Sequence, residues 1–299
     1  MEIFGEILKR GHEQLALFSH PESGLKAIVA IHNTVLGPAL GGCRMRLYSS
    51  EEEAIEDCLR LAEGMTYKSS LAGLDLGGGK SCIIADPKLQ VGRRELFRQF
   101  GIALNGLAGR YVTAEDMGTS VADMSAIRET SNYVAGGDPE SGGSGDPSPW
   151  TALGVFEGIK AAVAHAFGSD SLKARRVAIQ GVGNVGRHLA RLLFEAGASL
   201  IVTDSNSESC QSVKSNYSAE VASLDGIYDV EADVFAPCAV GQTINKDTIP
   251  RLKAKIIAGA ANNQLSDSSV YSMIEDKNLI YCPDFAINAG GIISVGAEY

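Results

Sequence analysis

Residues 175–186, Arg-Arg-Val-Ala-Ile-Gln-Gly-Val-Gly-Asn-Val-Gly, constrain the fold more than any other stretch of this chain. A short apolar run leads straight into a turn with glycines at 181, 183 and 186. Gly181 permits a tight turn, Gly183 lets a pyrophosphate approach the backbone, and Gly186 lets the following helix pack close to the strand. Around Val182, Asn184 and Val185 the helix start offers N–H donors and a positive dipole end to phosphates. The pattern predicts a helix over 184–196, stopped by Gly197, then a second strand over 199–203 that ends on Asp204. An acid about 20 residues past such a turn is where a carboxylate accepts hydrogen bonds from the adenosine ribose hydroxyls. Ser205-Asn206-Ser207 contain no cation to meet a 2′-phosphate, so the pattern selects NAD over NADP. A glycine-rich βα turn alone is weak evidence; strand, turn, helix, strand and acid in register are not.

The 299 residues are 45% hydrophobic and 21% charged, a composition that fits a globular protein of about two domains. No apolar run approaches the roughly 20 residues of a membrane span. The start, Met1-Glu2-Ile3-Phe4-Gly5-Glu6, reads as no secretory signal, because an acid comes early and no apolar stretch follows. Six cysteines are scattered without a Cys-x-x-Cys pair, and the five histidines show no zinc-ligand spacing. The cysteines read as small buried hydrophobes in a reducing compartment, and no metal is expected. A net charge of −10 argues against nucleic acid. The expected partner is a small molecule in the cytoplasm.

Residues 136–149, rich in Gly, Pro, Ser and Asp, hold neither a helix nor a ladder. They separate a first region, 1–135, from a dinucleotide region, 151–299, with 136–150 as hinge. In the first region strands are predicted over 25–32, 80–85 and 110–113, and a helix over 96–107. Ser50-Glu51-Glu52-Glu53 is a capping box opening a helix whose Ala54, Ile55, Cys58, Leu59, Ala62 and Met65 recur at helical spacing. In the second region a helix over 151–167 precedes strands over 177–180, 200–203, 234–237, 256–258 and 279–282. Strands alternating with helices or loops imply an α/β fold with a mostly parallel sheet covered on both faces.

Three charged residues before the hinge stand where local structure would fix them. Lys68 ends Gly64-Met65-Thr66-Tyr67-Lys68, just past the predicted helix. Lys80 follows Gly77-Gly78-Gly79, which would expose it at a strand entrance. Asp116 closes Tyr111-Val112-Thr113-Ala114-Glu115-Asp116. Strand ends are where α/β proteins place their chemistry. Each also has a plain reading: Lys68 as a solvated helix C-terminus, Lys80 as a surface lysine, and Asp116 as the cap of a helix starting near Thr119.

Together with Leu36–Gly42, Glu51–Asp57, Asp146-Pro147-Ser148-Pro149, Ala258–Leu265 and Ile287-Asn288-Ala289-Gly290-Gly291, these segments resemble the glutamate, leucine, phenylalanine and valine amino-acid dehydrogenases, most closely the leucine-type branch. The resemblance runs from Met1 to Tyr299. It implies an N-terminal substrate and assembly domain, an NAD-binding Rossmann domain and a homo-oligomer. It also implies NAD-dependent, reversible oxidative deamination of an L-amino acid to a 2-keto acid and ammonia, without a metal. Lys68 would pair with the substrate α-carboxylate. Lys80 would activate water, which requires that it release its proton easily; a second ammonium nearby and a partly dry cleft favour that. Asp116 would exchange protons with the amino group. Thr151, Asn262 and Asn288 would lie on the nicotinamide side, Asn262 also touching substrate.

The resemblance places Leu40, Gly41, Met65, Ala114, Ile292 and Val295 around the substrate. Leu40, Ala114, Ile292 and Val295 are apolar, and burying an unpaired glutamate carboxylate among them would cost several kcal/mol. Branched aliphatic amino acids fit best; Leu40 stands against a phenylalanine- or tryptophan-type enzyme, the first alternative. The resembling enzymes continue beyond the position of Tyr299 into helices that return to the first domain. That departure is the support for a second alternative, a shortened, non-catalytic NAD-binding or subunit-interaction protein.

Overall fold

A computed structural model describes residues 2–138 and 145–298, so residues 139–144 of the expected hinge lie outside the described residues. In the first half, α1 (Ile3–Arg10), β1 (Gln14–His20), β2 (Leu25–Asn33), β3 (Ala39–Arg46), α2 (Glu51–Leu71), β4 (Gly77–Ile84), α3 (Arg93–Asn105), β5 (Tyr111–Glu115) and α4 (Val121–Arg128) follow in order. The second half holds α5 (Ser148–Phe167), β6 (Arg176–Gln180), α6 (Asn184–Glu195), β7 (Ser199–Thr203), α7 (Ser207–Tyr217), β8 (Glu220–Val221) and β9 (Val234–Pro237). It closes with β10 (Ile256–Ile257), α8 (Val270–Asp276), β11 (Ile280–Tyr281), α9 (Asp284–Ile287) and α10 (Gly290–Gly296).

Two compact units result: Met1–Pro147 with Ile292–Tyr299, and Ser148–Gly291. The last residues of the expected dinucleotide region therefore belong to the first unit. The contacts show why: Glu298 accepts hydrogen bonds from Arg128 Nη2 (2.9 Å) and from the Gly136 N–H (2.8 Å). A Cβ at Gly296 would lie 3.2 Å from Leu74 Cδ1.

The first unit is a five-stranded mixed sheet in the order β1-β2-β4-β3-β5. β1 and β2 pair antiparallel, as do β2 and β4, whereas β4, β3 and β5 run parallel. Strand alternation sends Val29 and Ile31 to one face, where they meet Phe97, Phe100, Leu104 and Met124 of α3 and α4. Ile28, Ala30 and Cys82 face the other way, onto Ala54, Cys58, Leu59 and Ala62 of α2. Ser50 caps α2 by accepting from the Glu53 N–H (3.1 Å), but the Glu53 carboxylate bonds Ser49 instead of closing the box. Because α2 continues to Leu71, Lys68 lies in its last turn and not beyond it.

The second unit is a six-stranded parallel sheet, β11-β10-β9-β6-β7-β8. Val177, Ile179, Leu200, Val202 and Val234 pack on one face with Val155, Ile159, Leu189 and Leu193 of α5 and α6. Ala178, Ile201, Phe235 and Ile257 pack on the other with Ile249, Val270 and Ile274. These near-continuous apolar strands are what a parallel sheet buried on both faces requires.

Candidate active site

The glycines before Lys80 do not form an entrance turn; they lie inside β4. A Cβ at Gly77 would meet Asn33 O at 2.0 Å, one at Gly78 would meet Thr66 N at 2.1 Å, and one at Gly79 would meet Tyr111 Cδ2 at 2.8 Å. The flanking strands and α2 thus close tightly on the backbone, and Lys80 is only 3% exposed. This corrects the surface expectation for Lys80. A buried ammonium needs a partner, and Asp116 Oδ2 supplies it at 3.0 Å from Nζ.

Asp116 stands one residue past β5. Its N–H donates to Thr119 Oγ1 (3.0 Å), while Ser120 and Asp123 form the capping box of α4, so the Asp116 carboxylate is free of that capping role. Arg44, at 7% exposure on β3, places Nε 3.0 Å from the same Asp116 Oδ2. Its Nη1 reaches Asp57 Oδ2 at 3.1 Å and Oδ1 at 3.3 Å, and Tyr48 donates its hydroxyl to Asp57 Oδ2 at 2.8 Å. Burial alone would raise the Asp116 pKa. The Lys80 ammonium and the Arg44 guanidinium outweigh it and hold the carboxyl far below the usual range. Among the described residues no hydrogen bond is made to Asp116 Oδ1. The adjacent Glu115 goes the opposite way. Burial, then Asp146, Asp123 and Asp116, push it up to about 7, and its Oε2 is buried without a partner.

Around this pair, Leu40 sits in β3 in register with Gly78 of β4 and Val112 of β5, and Gly42 faces Ala114. A Cβ at Gly41 would come 1.8 Å from Gly79 O. Leu40, Ala114, Ile292 and Val295 are all buried, yet none joins the apolar cores described above. Met65 is half-buried and Lys68 buried on α2. Sequence reasoning missed Arg44, Asp57 and Glu115. No local signal marked Arg44: Ala39–Arg46 holds two arginines, Arg44 and Arg46, and only the pairing of this strand on both sides shows that Arg44 is the buried one.

In the second unit the expected cofactor residues gather at the carboxyl ends of the parallel strands, where open α/β sheets bind ligands. Gly181 has φ +99°, and a Cβ there would press on Ala239 at 2.8 Å; one at Gly186 would meet Gly181 O at 2.1 Å. Gly183 starts α6 without a side-chain cap. Asp204 Oδ2 accepts the Val182 N–H at 2.8 Å, and Oδ1 accepts the Asn206 N–H at 2.8 Å. Val182 N–H is therefore committed to Asp204, whereas the first amides of α6 have no partner within the helix. Asn288, 4% exposed, donates Nδ2 to Ala260 O (3.0 Å) and to Asn262 Oδ1 (2.9 Å). A Cβ at Gly290 would meet Trp150 O at 2.0 Å, which brings Thr151 beside the Asn288 segment. The glycine cradle, the uncapped helix and the poised Asp204 together fit a dinucleotide.

Comparison with known proteins decides the family. A model for the Glu/Leu/Phe/Val dehydrogenase dimerisation domain matches residues 12–133, and one for glutamate/leucine/phenylalanine/valine dehydrogenase matches 142–210 and 202–299. The chain belongs to the Glu/Leu/Phe/Val dehydrogenase family. It is 54% identical to a leucine dehydrogenase of Bacillus subtilis, over 100% of this chain and 82% of that protein. A valine dehydrogenase of Streptomyces virginiae is 46% identical over 96% of this chain and 81% of its own length. The crystal structure of L-tryptophan dehydrogenase from Nostoc punctiforme superposes with a TM-score of 0.78 at 42% identity, covering 99% of this chain and 84% of that one. Family membership makes this chain an oxidoreductase of the amino-acid dehydrogenase type. Among the described residues, no helix is long and apolar enough to cross a membrane, and no group of three His, Cys, Asp or Glu side chains is placed to hold a metal ion.

Proposed function

We propose that this chain catalyses the NAD-dependent, reversible oxidative deamination of a branched-chain L-amino acid, giving the 2-keto acid, ammonia and NADH. The observation that carries this reading is the buried Lys80–Asp116 ion pair on the parallel strands of a family member. NAD, when bound, supplies the hydride acceptor. Gly181, Gly183 and the amides of Asn184, Val185 and Gly186 would hold its phosphates, Asp204 its ribose, and Thr151, Asn262 and Asn288 its nicotinamide side.

Lys68 holds the substrate α-carboxylate by charge. Asp116 Oδ1 accepts a proton from the substrate amino group, while Oδ2 stays on Lys80 and Arg44. In imine hydrolysis, Lys80 as the amine takes one proton from water. The water oxygen bonds to the imine carbon and the C=N π pair moves to nitrogen. Asp116 returns its proton to the carbinolamine nitrogen, the C–N bond breaks with its pair leaving on ammonia, and the hydroxyl proton passes back to Asp116 as the keto C=O forms. Leu40, Ala114, Ile292 and Val295 give the side chain an apolar surround with no cation for a second carboxylate, which favours leucine, isoleucine and valine. Separation among these is only about 1–3 kcal/mol per methylene. The enzyme acts as a homo-oligomer in the cytoplasm, an assignment supported by the dimerisation-domain match and the six unpaired cysteines.

The test is NADH formation by the purified chain with a panel of L-amino acids including phenylalanine, tryptophan and glutamate. Highest kcat/KM on the branched aliphatic members supports the reading. Preference for an aromatic substrate transfers it to the aromatic branch, and no turnover with any amino acid overturns it.

A further inference from the structure

Arg44 carries no role in the deamination as described, which does not require it to touch substrate. Its placement is nevertheless specific. The sheet order β4-β3-β5 sets its strand between the strand of Lys80 and the strand leading to Asp116. Arg44 is in register with Cys82, two residues along β4 from Lys80 and on the same, α2-facing side. From there Nε and the Lys80 ammonium converge on one oxygen, Asp116 Oδ2, each at 3.0 Å. The other end of the guanidinium is held by Asp57 at 3.1 and 3.3 Å, and Asp57 is itself fixed by Tyr48.

We propose that Arg44 is a positioning residue: a permanent counter-ion that holds the Asp116 carboxylate in place, ready to take the substrate proton, when Lys80 is an uncharged amine. This rests on the deamination reading given above. Lys80 has to alternate between ammonium and amine. Each time it gives up its proton, Asp116 would become an unpaired carboxylate in a buried site, a costly state. Arginine does not lose its proton in proteins, so its bond to Oδ2 persists. The same guanidinium offsets the Asp116 charge toward Lys80, which lowers the cost of proton release. With Lys80 protonated the four groups balance, two cations against two carboxylates.

The thiols around Lys80 cannot supply this positive charge, since a thiol carries none in either form. Burial raises the Cys82 thiol on β4, but Cys58, Tyr48 and Arg44 outweigh it and bring it below its ordinary value. The Cys43 thiol on β3 is pushed up to about 12, and the Cys58 thiol on α2 is pushed well above its ordinary value; burial is the main cause for both. Both are therefore neutral. Asp57 acts on Lys80 through Arg44, and Lys68 lies farther along α2.

The experiment compares the unmodified protein with Arg44→Gln, Arg44→Lys and Asp57→Asn. One readout is the pH at which the ¹³Cε signal of Lys80 titrates in ¹³C-lysine-labelled protein, the signal being identified by its loss in Lys80→Gln. The other is the pH profile of kcat/KM for deamination. Arg44→Gln should move both the titration and the acid limb to higher pH by about one unit or more, because a nearby cation has gone. Asp57→Asn should move them the opposite way, since Arg44 loses its compensating charge. Arg44→Lys, which keeps the charge, should restore most of the Arg44→Gln shift. A purely structural Arg44 would lower thermal stability without shifts of opposite sign. Unmoved titrations in Arg44→Gln and Asp57→Asn overturn the proposal. If Arg44→Gln does not fold, Asp57→Asn and Arg44→Lys decide it alone. Because the titration needs no turnover, failure of the deamination reading shows separately, as an unmodified protein without activity.

Discussion

The two units build their sites by different means. In the second, the site is made of backbone: glycines whose missing Cβ atoms leave room, amide donors at the start of α6, and one carboxylate that organises the turn. In the first, it is made of buried charge: two cations and two carboxylates held between β3, β4, β5 and α2. A backbone site tolerates most chemistry but no added volume. A charge site tolerates modest changes of volume but no unbalanced loss of a partner. The contrast predicts which substitutions separate cofactor affinity from turnover.

The largest separation should come from Lys80→Ala. Turnover should fall by about 10²-fold or more, the usual scale for an acid–base group. NAD affinity, measured by nucleotide titration, should stay near that of the unmodified protein. Loss of NAD binding in this variant would mean that the two sites are not separable in this way.

Gly186→Ala should do the reverse. The new methyl would sit 2.1 Å from Gly181 O, a backbone atom, so strand and helix must part. NAD should bind about tenfold more weakly or worse, equivalent to 1.4 kcal/mol or more. The Lys80–Asp116 pair, and with it the pH profile at saturating NAD, should be unchanged.

The same difference explains what the sequence made legible. The glycine turn, α6, β7 and Asp204 are contiguous, and each requirement is local, so the pattern located them: β7 spans Ser199–Thr203 and α6 starts at Asn184. Lys80 and Asp116 were legible as residue types after distinctive segments, but their environment was not. Gly77–Gly79 looked like a flexible turn because only the neighbouring strands show why glycine is needed there. β3 went unread for a related reason. Gly41 and Gly42 resemble a break, whereas they sit where Gly79 and Glu115 come too close for any side chain. Arg44 depends wholly on strand order, since Lys80, Asp116 and Asp57 reach it from three separate elements, and no local pattern carries that information.

A smaller effect concerns cofactor choice. Asp204→Ala removes a carboxylate that repels a 2′-phosphate, so the preference for NAD over NADP should shrink by a few-fold to about tenfold. It also releases the Val182 and Asn206 N–H groups that Asp204 holds, so NAD affinity should fall too. Equal use of NAD and NADP by the unmodified chain would refute the assignment of Asp204. Asp204→Asn keeps an acceptor oxygen and tests whether charge or turn geometry dominates.

The smallest predicted effect compares two adjacent carboxylates within the first unit. Asp116 is held low by two cations, whereas Glu115 is raised to about 7 by burial and by Asp146, Asp123 and Asp116. The folded state therefore binds the Glu115 proton more tightly than the unfolded chain does. Below the ordinary glutamate range both states are protonated and nothing is lost. As pH rises from about 4.5 to about 7, the unfolded chain ionises first and stability falls. Above about 7 the penalty is complete. Glu115→Gln removes the charge and keeps the shape, so it should raise the thermal midpoint at pH 8 by roughly 2–4 °C for each kcal/mol relieved. At pH 4 the same substitution should change little. Asp116→Asn should show the opposite pattern, destabilising at pH 8 because it leaves Lys80 and Arg44 short of a buried anion. If both variants shift the midpoint in the same direction at pH 8, the opposed environments of these neighbours do not govern stability.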